Sequence, residues 1–145
     1  MVREARKDDL QALLHLYLDL HETHVPASSP ALQDTWTAML RDPNHHVLLC
    51  EIGGALVASC VCVVIPNLTR DVRPYALIEN VVTRADCRGK GYATACLDRA
   101  REIARQCNCY KIMLLTGSRQ PETLRFYEHA GYNRADKTAF VQWLD

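Results

Sequence analysis

The chain has no long hydrophobic run and no net charge. No segment approaches the ~20 consecutive apolar residues of a membrane-spanning helix. Lysine and arginine together number 17, as do aspartate and glutamate, so the formal charge is zero. A chain without a basic excess has no general electrostatic attraction for nucleic acid or for an anionic membrane surface. We therefore expect neither nucleic acid nor a membrane as a partner.

Two cysteine patterns are also missing, although the chain has seven cysteines. It contains no Cys-x-x-Cys pair and no Cys/His set with zinc-finger spacing, so we expect no metal site. Cys60 and Cys62 would project from the same face of one strand, and Cys96 fits the apolar stripe of a helix. We interpret these thiols as small buried hydrophobic groups in a reducing compartment. The charged residues near the N-terminus interrupt any apolar signal-peptide region, which favours a cytoplasmic protein.

Hydrophobic periodicity predicts alternating strands and helices in one domain, residues 1–145. The predicted strands are residues 2–5, 47–52, 55–65, 75–83, 110–116, 132–134 and 138–144. The predicted helices begin near residue 10 and cover residues 31–40, 92–107 and 121–130. Gly53-Gly54 predicts a hairpin, and residues 66–74 read as a polar loop.

The most informative segment is residues 88–94, Arg-Gly-Lys-Gly-Tyr-Ala-Thr, between a predicted strand and a predicted helix. A helix N-terminus leaves backbone N–H groups without partners and carries about half a positive charge. Glycines allow the backbone to approach a phosphate closely. We therefore expect a phosphorylated ligand here.

Two common phosphate motifs do not fit this segment. A P-loop needs Lys-Ser or Lys-Thr after its last glycine, and neither pair is present. The dinucleotide fingerprint needs a third glycine, where this chain has Thr94, and an acidic residue about 20 positions later. Residues 110–115 contain no acidic residue.

A third pattern fits: Arg88, Gly91 and Ala93 match Arg/Gln-x-x-Gly-x-Gly/Ala. This resembles the acetyl-CoA pyrophosphate loop of the GNAT superfamily, the Gcn5-related N-acetyltransferases. Residues 126–132, Phe-Tyr-Glu-His-Ala-Gly-Tyr, are similar to the family's Phe-Tyr-Glu-x-x-Gly-Phe segment. The resemblance covers almost the whole chain. It implies an α/β fold in the order β-α-α-β-β-β-α-β-α-β-β, with a mixed, mostly antiparallel sheet flanked by helices.

The resemblance also implies how acetyl-CoA binds. The pantetheine arm pairs with the central strand, where that strand splays from the next one. Its main-chain contacts fall at Val81 and Thr83, with Val82 between them. The pyrophosphate falls on the backbone amides of Arg88, Gly89, Lys90, Gly91, Tyr92, Ala93 and Thr94. Gln120 stands where the family often has an asparagine that contacts the cofactor.

Two residues are candidates for catalysis. Tyr127 matches the family's general acid, which protonates the departing thiolate of CoA. Glu79 is the best candidate for the base, because a carboxylate within an apolar strand is costly unless it is paired or functional. Apolar surroundings would raise the pKa of Glu79, although a hydrogen bond to a neighbouring loop explains its presence equally well. His21 and His24 could reach the acceptor pocket, but a structural or surface role fits each better.

These features favour direct acetyl transfer from acetyl-CoA to a primary amine of a small molecule. A protein or peptide N-acetyltransferase and a non-catalytic acyl-CoA-binding module are the alternatives. Residues 78–82 and 109–112 resemble segments of glucosamine-6-phosphate N-acetyltransferases, which typically have aspartate where this chain has Asn80 and Leu115. The sequence leaves the oligomeric state open, with a homodimer among the options.

Overall fold

A computed structural model describes all residues, 1–145. The strands are β1 (Val2–Glu4), β2 (His45–Ile52), β3 (Ala55–Ile65), β4 (Tyr75–Thr83) and β5 (Ile112–Leu114). The helices are α1 (Leu10–Leu16), α2 (Pro30–Arg41), the single turn α3 (Thr69–Val72), α4 (Tyr92–Gln106) and α5 (Pro121–His129). Most predicted boundaries agree within two residues, and α3 lies inside the segment predicted as a polar loop.

The five strands form one sheet in the order β1-β2-β3-β4-β5. The first three pairings are antiparallel and the last, between β4 and β5, is parallel. The predicted α/β fold with a mixed, mostly antiparallel sheet is therefore confirmed. Gly53 and Gly54 join β2 to β3 with φ values of 58° and 80°. Two consecutive positive φ angles are characteristic of the hairpin turn that their sequence predicted.

Helices cover both faces of the sheet. On one face, α4 packs Cys96, Leu97 and Ala100 against buried residues of β2, β3 and β4. On the other face, α1 and Trp36 of α2 pack against a second buried cluster. We call these the α4 face and the α1–α2 face. None of the helices combines the length and the apolar character needed to cross a membrane.

The cysteines are largely core residues, as their pattern predicted. Cys60, Cys62 and Cys96 all have no exposed surface and belong to the cluster of the α4 face. The pKa of the Cys60 thiol is raised, mainly by a hydrogen bond with the Cys96 thiol and secondly by burial. Burial raises the pKa of Cys62 to about 12. The Cys60 and Cys62 thiols therefore remain protonated at neutral pH, and all three cysteines act as packing groups.

The last two predicted strands, residues 132–134 and 138–144, are absent from the structure. The chain after α5 forms no ladder with β5, which pairs only with β4. An alternating sequence becomes a strand only when a neighbouring strand accepts its backbone hydrogen bonds. Here the segment 138–144 remains exposed and finds no such neighbour within the chain.

Candidate active site

A bulge interrupts β4 at Asn80. Glu79 lies opposite Val61, and Val82 lies opposite Ser59, so Asn80 and Val81 together face Cys60 alone. The backbone of Asn80 has a φ of 51°, which asparagine adopts more readily than most residues. A bulge of this kind bends the strand and changes the direction of the side chains that follow. Glu79 and Asn80 are both exposed.

The strands β4 and β5 separate just before this bulge. Their last register pair is Ile78 with Leu114, so residues 79–83 have no partner on the β5 side. The backbone groups of β4 along this edge are open to an extended ligand. The main-chain contacts with the pantetheine arm that the sequence predicts at Val81 and Thr83 require such an edge. Val82 between them is buried on the α1–α2 face.

The segment 88–94 forms the glycine loop at the start of α4. Gly89 and Gly91 have φ values of 74° and 81°. A Cβ atom at either position would meet nothing within 4 Å. Glycine is therefore favoured here by backbone conformation and not by lack of space. Gly91 is the residue before the first helical residue, Tyr92.

The N–H groups of this loop point to no acceptor in the chain. Outside helices and strands, no main-chain hydrogen bond is donated by residues 88–94. No side chain caps the helix start. The N-terminus of a 15-residue helix with unpaired N–H groups favours a bound anion.

Two exposed cations border the loop. The Arg88 guanidinium donates to the backbone carbonyls of Asp19 and Thr83, at 3.2 and 3.4 Å. The Lys90 ammonium donates to the carbonyl of Asp86 at 3.4 Å. Neither Arg88 nor Lys90 forms an ion pair with a carboxylate. Their positive charges therefore remain unneutralised beside the unpaired N–H groups.

Tyr127 lies on α5 and packs against the cluster of the α4 face. Its ring makes an edge contact with Tyr132 at a centroid distance of 6.3 Å and a tilted contact with Phe126 at 4.9 Å. Burial raises the pKa of the Tyr127 hydroxyl, and the nearby Cys60 thiol adds to this effect. The phenol therefore stays protonated at neutral pH and can act as a proton donor.

A cavity of about 800 Å³ lies beside Tyr127. It is bounded by β5, α5, the chain after α5, and Leu97 and Arg101 of α4. No residue of β4 or of the segment 88–94 lines it. Among the predicted site residues, Tyr127 alone borders this cavity.

The two predicted catalytic residues lie on opposite faces of the sheet. Glu79 pairs across the strands with Val61, which belongs to the α1–α2 face. Tyr127 belongs to the α4 face. Both residues can reach the same reacting atoms only if those atoms lie in the gap between β4 and β5. The exposure of Glu79 also removes the apolar surroundings expected from the sequence.

The histidines stay at the surface. His21 lies 3.6 Å from a carboxylate oxygen of Glu22, and the Nδ1 atom of His24 lies 3.3 Å from the Thr23 hydroxyl. Both imidazoles are exposed. Their contacts are local, in accord with the surface role that the sequence favoured. Gln120 is the residue before α5 and is also exposed.

Sequence reasoning missed the pairing of Tyr17 with Asn80. Burial raises the pKa of the Tyr17 hydroxyl to about 12, and a hydrogen bond with the Asn80 side chain partly offsets this effect. The two residues connect the end of α1 to the bulge of β4. A polar Asn80 next to Glu79, inside an otherwise apolar strand, was the available signal for this bulge.

Comparison with known proteins places this geometry in a family. The model of the acetyltransferase (GNAT) family matches residues 10–132. A glucosamine 6-phosphate N-acetyltransferase of Trypanosoma brucei brucei is 32% identical over 138 residues, covering 94% of this chain and 90% of that protein. An uncharacterized N-acetyltransferase of Methanocaldococcus jannaschii is 24% identical over 148 residues, covering 99% of this chain. The chain spans 64% of the length of that archaeal relative.

The fold has solved counterparts as well. The structure of an Agrobacterium tumefaciens protein, assigned provisionally to the acetyltransferases, superposes with a TM-score of 0.90. It is 36% identical, and the match covers 99% of both chains. The family match extends over most of the chain and includes β4, the glycine loop and α5. The chain therefore belongs to the acetyltransferase (GNAT) family of enzymes.

Proposed function

We propose that this chain transfers an acetyl group directly from acetyl-CoA to a primary amine of a small molecule. One observation carries the proposal. The unpaired N–H groups of residues 88–94 lie at the start of α4, and residues 84–87 connect them to the strand whose edge is open. An anion site beside a free strand edge suits a ligand with a phosphate at one end and amides along its length.

The residues present fit acetyl-CoA. The N–H groups of residues 88–94 would hold the pyrophosphate, and Arg88 and Lys90 would add positive charge. The free edge of β4 at Val81 and Thr83 would pair with the amides of the pantetheine arm. Bound acetyl-CoA supplies an acetyl group activated as a thioester. The protein's contribution is to align that group with the amine and to manage two proton transfers.

The first proton leaves the acceptor amine. A lysine-like amine has a pKa near 10.4, so removing its proton at pH 7 costs about 4–5 kcal/mol. Glu79 is exposed on the α1–α2 face at the point where β4 and β5 separate. We assign it the role of accepting this proton through a water molecule. An amine approaching from the α1–α2 face would meet Glu79 before it reaches the gap.

The second proton goes to the departing sulfur. A thiolate of this type resembles that of cysteine, with a pKa near 8.5. The Tyr127 hydroxyl makes no hydrogen bond within the chain and stays protonated because burial raises its pKa. We assign Tyr127 the role of general acid. Tyr127 would approach from the α4 face, opposite Glu79. The group that donates a proton to the sulfur is thus kept apart from the group that accepts a proton from the amine.

The 32% identity to a glucosamine 6-phosphate N-acetyltransferase makes amino sugar phosphates the first acceptors to try. A panel should contain glucosamine 6-phosphate, other aminated metabolites, polyamines and short peptides, with release of the CoA thiol as the readout. Turnover of a small amine supports the proposal. Turnover of peptides alone would replace it with the protein-directed activity. Binding of acetyl-CoA without turnover of any amine would favour a non-catalytic acyl-CoA-binding module.

Tyr127→Phe tests the general acid. We expect kcat to fall by about 10²–10⁴-fold, the usual contribution of general acid catalysis, while the affinity for acetyl-CoA stays the same. Tyr132→Phe is the matched control, since Tyr132 packs in the same cluster and contacts the Tyr127 ring. Equal losses of kcat in both variants would show that Tyr127 matters only for packing.

A further inference from the structure

The stripe of β4 that carries Glu79 extends to the start of the strand. Because side chains alternate along a strand, Tyr75, Leu77 and Glu79 project to the same side. Leu77 lies opposite Val63, and Glu79 lies opposite Val61. Val61 belongs to the buried cluster of the α1–α2 face, and Val63 packs against that cluster. The whole stripe therefore faces the side from which we expect the amine to approach Glu79.

Residues beside β4, on and just before β5, widen this stripe. Leu77 lies beside Met113 in the parallel register. Lys111 precedes Met113 by two residues and so projects to the same side. Leu77 and Met113 are half-buried, and neither belongs to the cluster of the α1–α2 face nor packs against it. We call this pair the apolar floor. Lys111 and Met113 also border the cavity of about 800 Å³, so open space lies beside them.

Two cations and two aromatic rings meet at the end of the floor that is farther from Glu79. The Lys111 ammonium lies 5.1 Å from the centre of the Tyr75 ring and 5.3 Å from the centre of the Tyr110 ring. The Arg70 guanidinium lies 5.5 Å from the centre of the Tyr110 ring. Neither cation forms an ion pair with a carboxylate. Aromatic faces attract cations but do not neutralise them. These four residues, which we call the cationic corner, therefore lack a counterion within the chain.

We infer that the cationic corner binds an anionic group of the acceptor, so that the substrate is a primary amine with a carboxylate or phosphate at the far end of an apolar spacer. The inference rests on the proposed function, which places the amine beside Glu79. The four residues from Tyr75 to Glu79 span about 13 Å of strand. An α-amino acid, whose amine and carboxylate share one carbon atom, is too short to reach both ends. The spacer would lie on Leu77 and Met113, where apolar surface is removed from water.

The charges at the two ends of the floor fix the direction of such a substrate. Glu79 attracts an ammonium group and repels an anion, whereas Lys111 and Arg70 do the opposite. Complementary charges of this kind select an orientation and reject substrates with the wrong charge. An amino carboxylate or amino phosphate would therefore present its amine to the gap between β4 and β5. A diamine would place its second ammonium group against Lys111 and should be a poor substrate.

Amines of matched length test the charge preference. The set contains ω-aminooctanoate, aminooctyl phosphate, octylamine and octane diamine, and release of the CoA thiol gives kcat/KM for each. We expect kcat/KM of at least one anionic amine to exceed that of octylamine by about tenfold or more, the usual contribution of a hydrogen bond to a charged group. The diamine should be the poorest substrate of the set. Comparing the carboxylate with the phosphate identifies which anion the corner prefers.

Substitutions of Lys111 test the location of the subsite. Lys111→Gln should lower the ratio of kcat/KM for the anionic amine to kcat/KM for octylamine by about tenfold. Lys111→Glu should reverse the preference, so that the diamine becomes better than the amino carboxylate. A purely structural role of Lys111 would not produce this reversal. Lys7→Gln is the matched control, because Lys7 is an exposed lysine outside this face and forms no ion pair. Melting temperatures establish that each variant is folded.

Calorimetry separates failure of this inference from failure of the proposed function. The same amines are titrated into protein saturated with CoA, where no acetyl group is available. Affinity for the anionic amine that falls about tenfold in Lys111→Gln supports the subsite, even if no amine is acetylated and the proposed function fails. Equal affinity in the wild type and Lys111→Gln, or no measurable binding of either anionic amine, would overturn the inference even if other amines are acetylated. A wild-type preference for octylamine or the diamine would overturn it as well.

Discussion

Substitutions at Gly91 can distinguish the effect of backbone strain on stability from the effect of a blocked ligand site on binding. Its φ of 81° lies in the left-handed region, and an added Cβ would meet no atom within 4 Å. Gly91→Ala should therefore cost only the conformational penalty, about 1–2 kcal/mol. For a domain of this size, 1 kcal/mol changes the melting temperature by roughly 2–4 °C. We expect Gly91→Ala to melt about 2–8 °C below the wild type.

Gly117→Ala provides the matched control. Gly117 also has open space around its Cβ position, but its φ lies outside the left-handed region. The same methyl group should therefore leave the melting temperature unchanged or raise it slightly. Equal destabilisation by the two substitutions would show that the backbone of Gly91 is not the cause.

The ligand part of the experiment adds acetyl-CoA at 100 times its dissociation constant. Binding at that level stabilises the folded state by about 2.7 kcal/mol. Gly91→Glu should lose most of this stabilisation, because its carboxylate would lie where the pyrophosphate is expected. Gly91→Gln has nearly the same shape without the charge and should retain more of it. A full thermal shift in Gly91→Glu would refute the assignment of the phosphate site to this loop.

Two further predictions concern the remaining charged groups. Glu79→Gln should shift or remove the acid limb of the pH–kcat profile. We expect its melting temperature to be unchanged and its affinity for acetyl-CoA to change little. An unaltered pH–kcat profile would mean that water or a backbone carbonyl, and not Glu79, removes the proton. Hydrogen bonds from the Arg3 guanidinium hold the pKa of the Asp9 carboxyl below its usual range. The stability that this pairing contributes is therefore present above about pH 4 and is lost as the pH falls through the lower folded-state pKa. Asp9→Asn should lower the free energy of unfolding at pH 7 by about 1–2 kcal/mol and flatten its acid dependence, as followed by urea titration, whereas exposed Asp8→Asn should do neither.

The sequence predicted the elements whose signals are local. The helix α4 follows from the 3–4 spacing of Cys96, Leu97, Ala100 and Ile103, all of which are buried. The glycine loop was predictable because a left-handed backbone strongly favours glycine at Gly89 and Gly91. In both cases a few neighbouring residues determine the conformation, so no knowledge of distant contacts is needed.

The parts that the sequence did not reveal depend on distant partners. Residues 138–144 alternate like a strand, but they form one only where a neighbouring strand edge accepts their backbone hydrogen bonds. The bulge at Asn80 inserts one extra residue into β4, and one residue changes which face of the sheet the following side chains occupy. Periodicity also does not show which face of the sheet a distant helix covers, so it could not show that Glu79 and Tyr127 lie on opposite faces. The proximity of Tyr17 to Asn80 also depends on residues far apart in the sequence.

The buried thiols give this protein an internal reporter of its own opening. Of the cysteines, only Cys107 is exposed and Cys109 is half-buried, while the other five lie in the core. An alkylating reagent reacts with the thiolate, and it needs access to the sulfur. The number of reagent molecules attached per protein would therefore rise at once for the accessible cysteines. It would rise for the core cysteines only when the sheet separates from α4. The slow phase of such labelling measures how often the core opens, without any introduced probe.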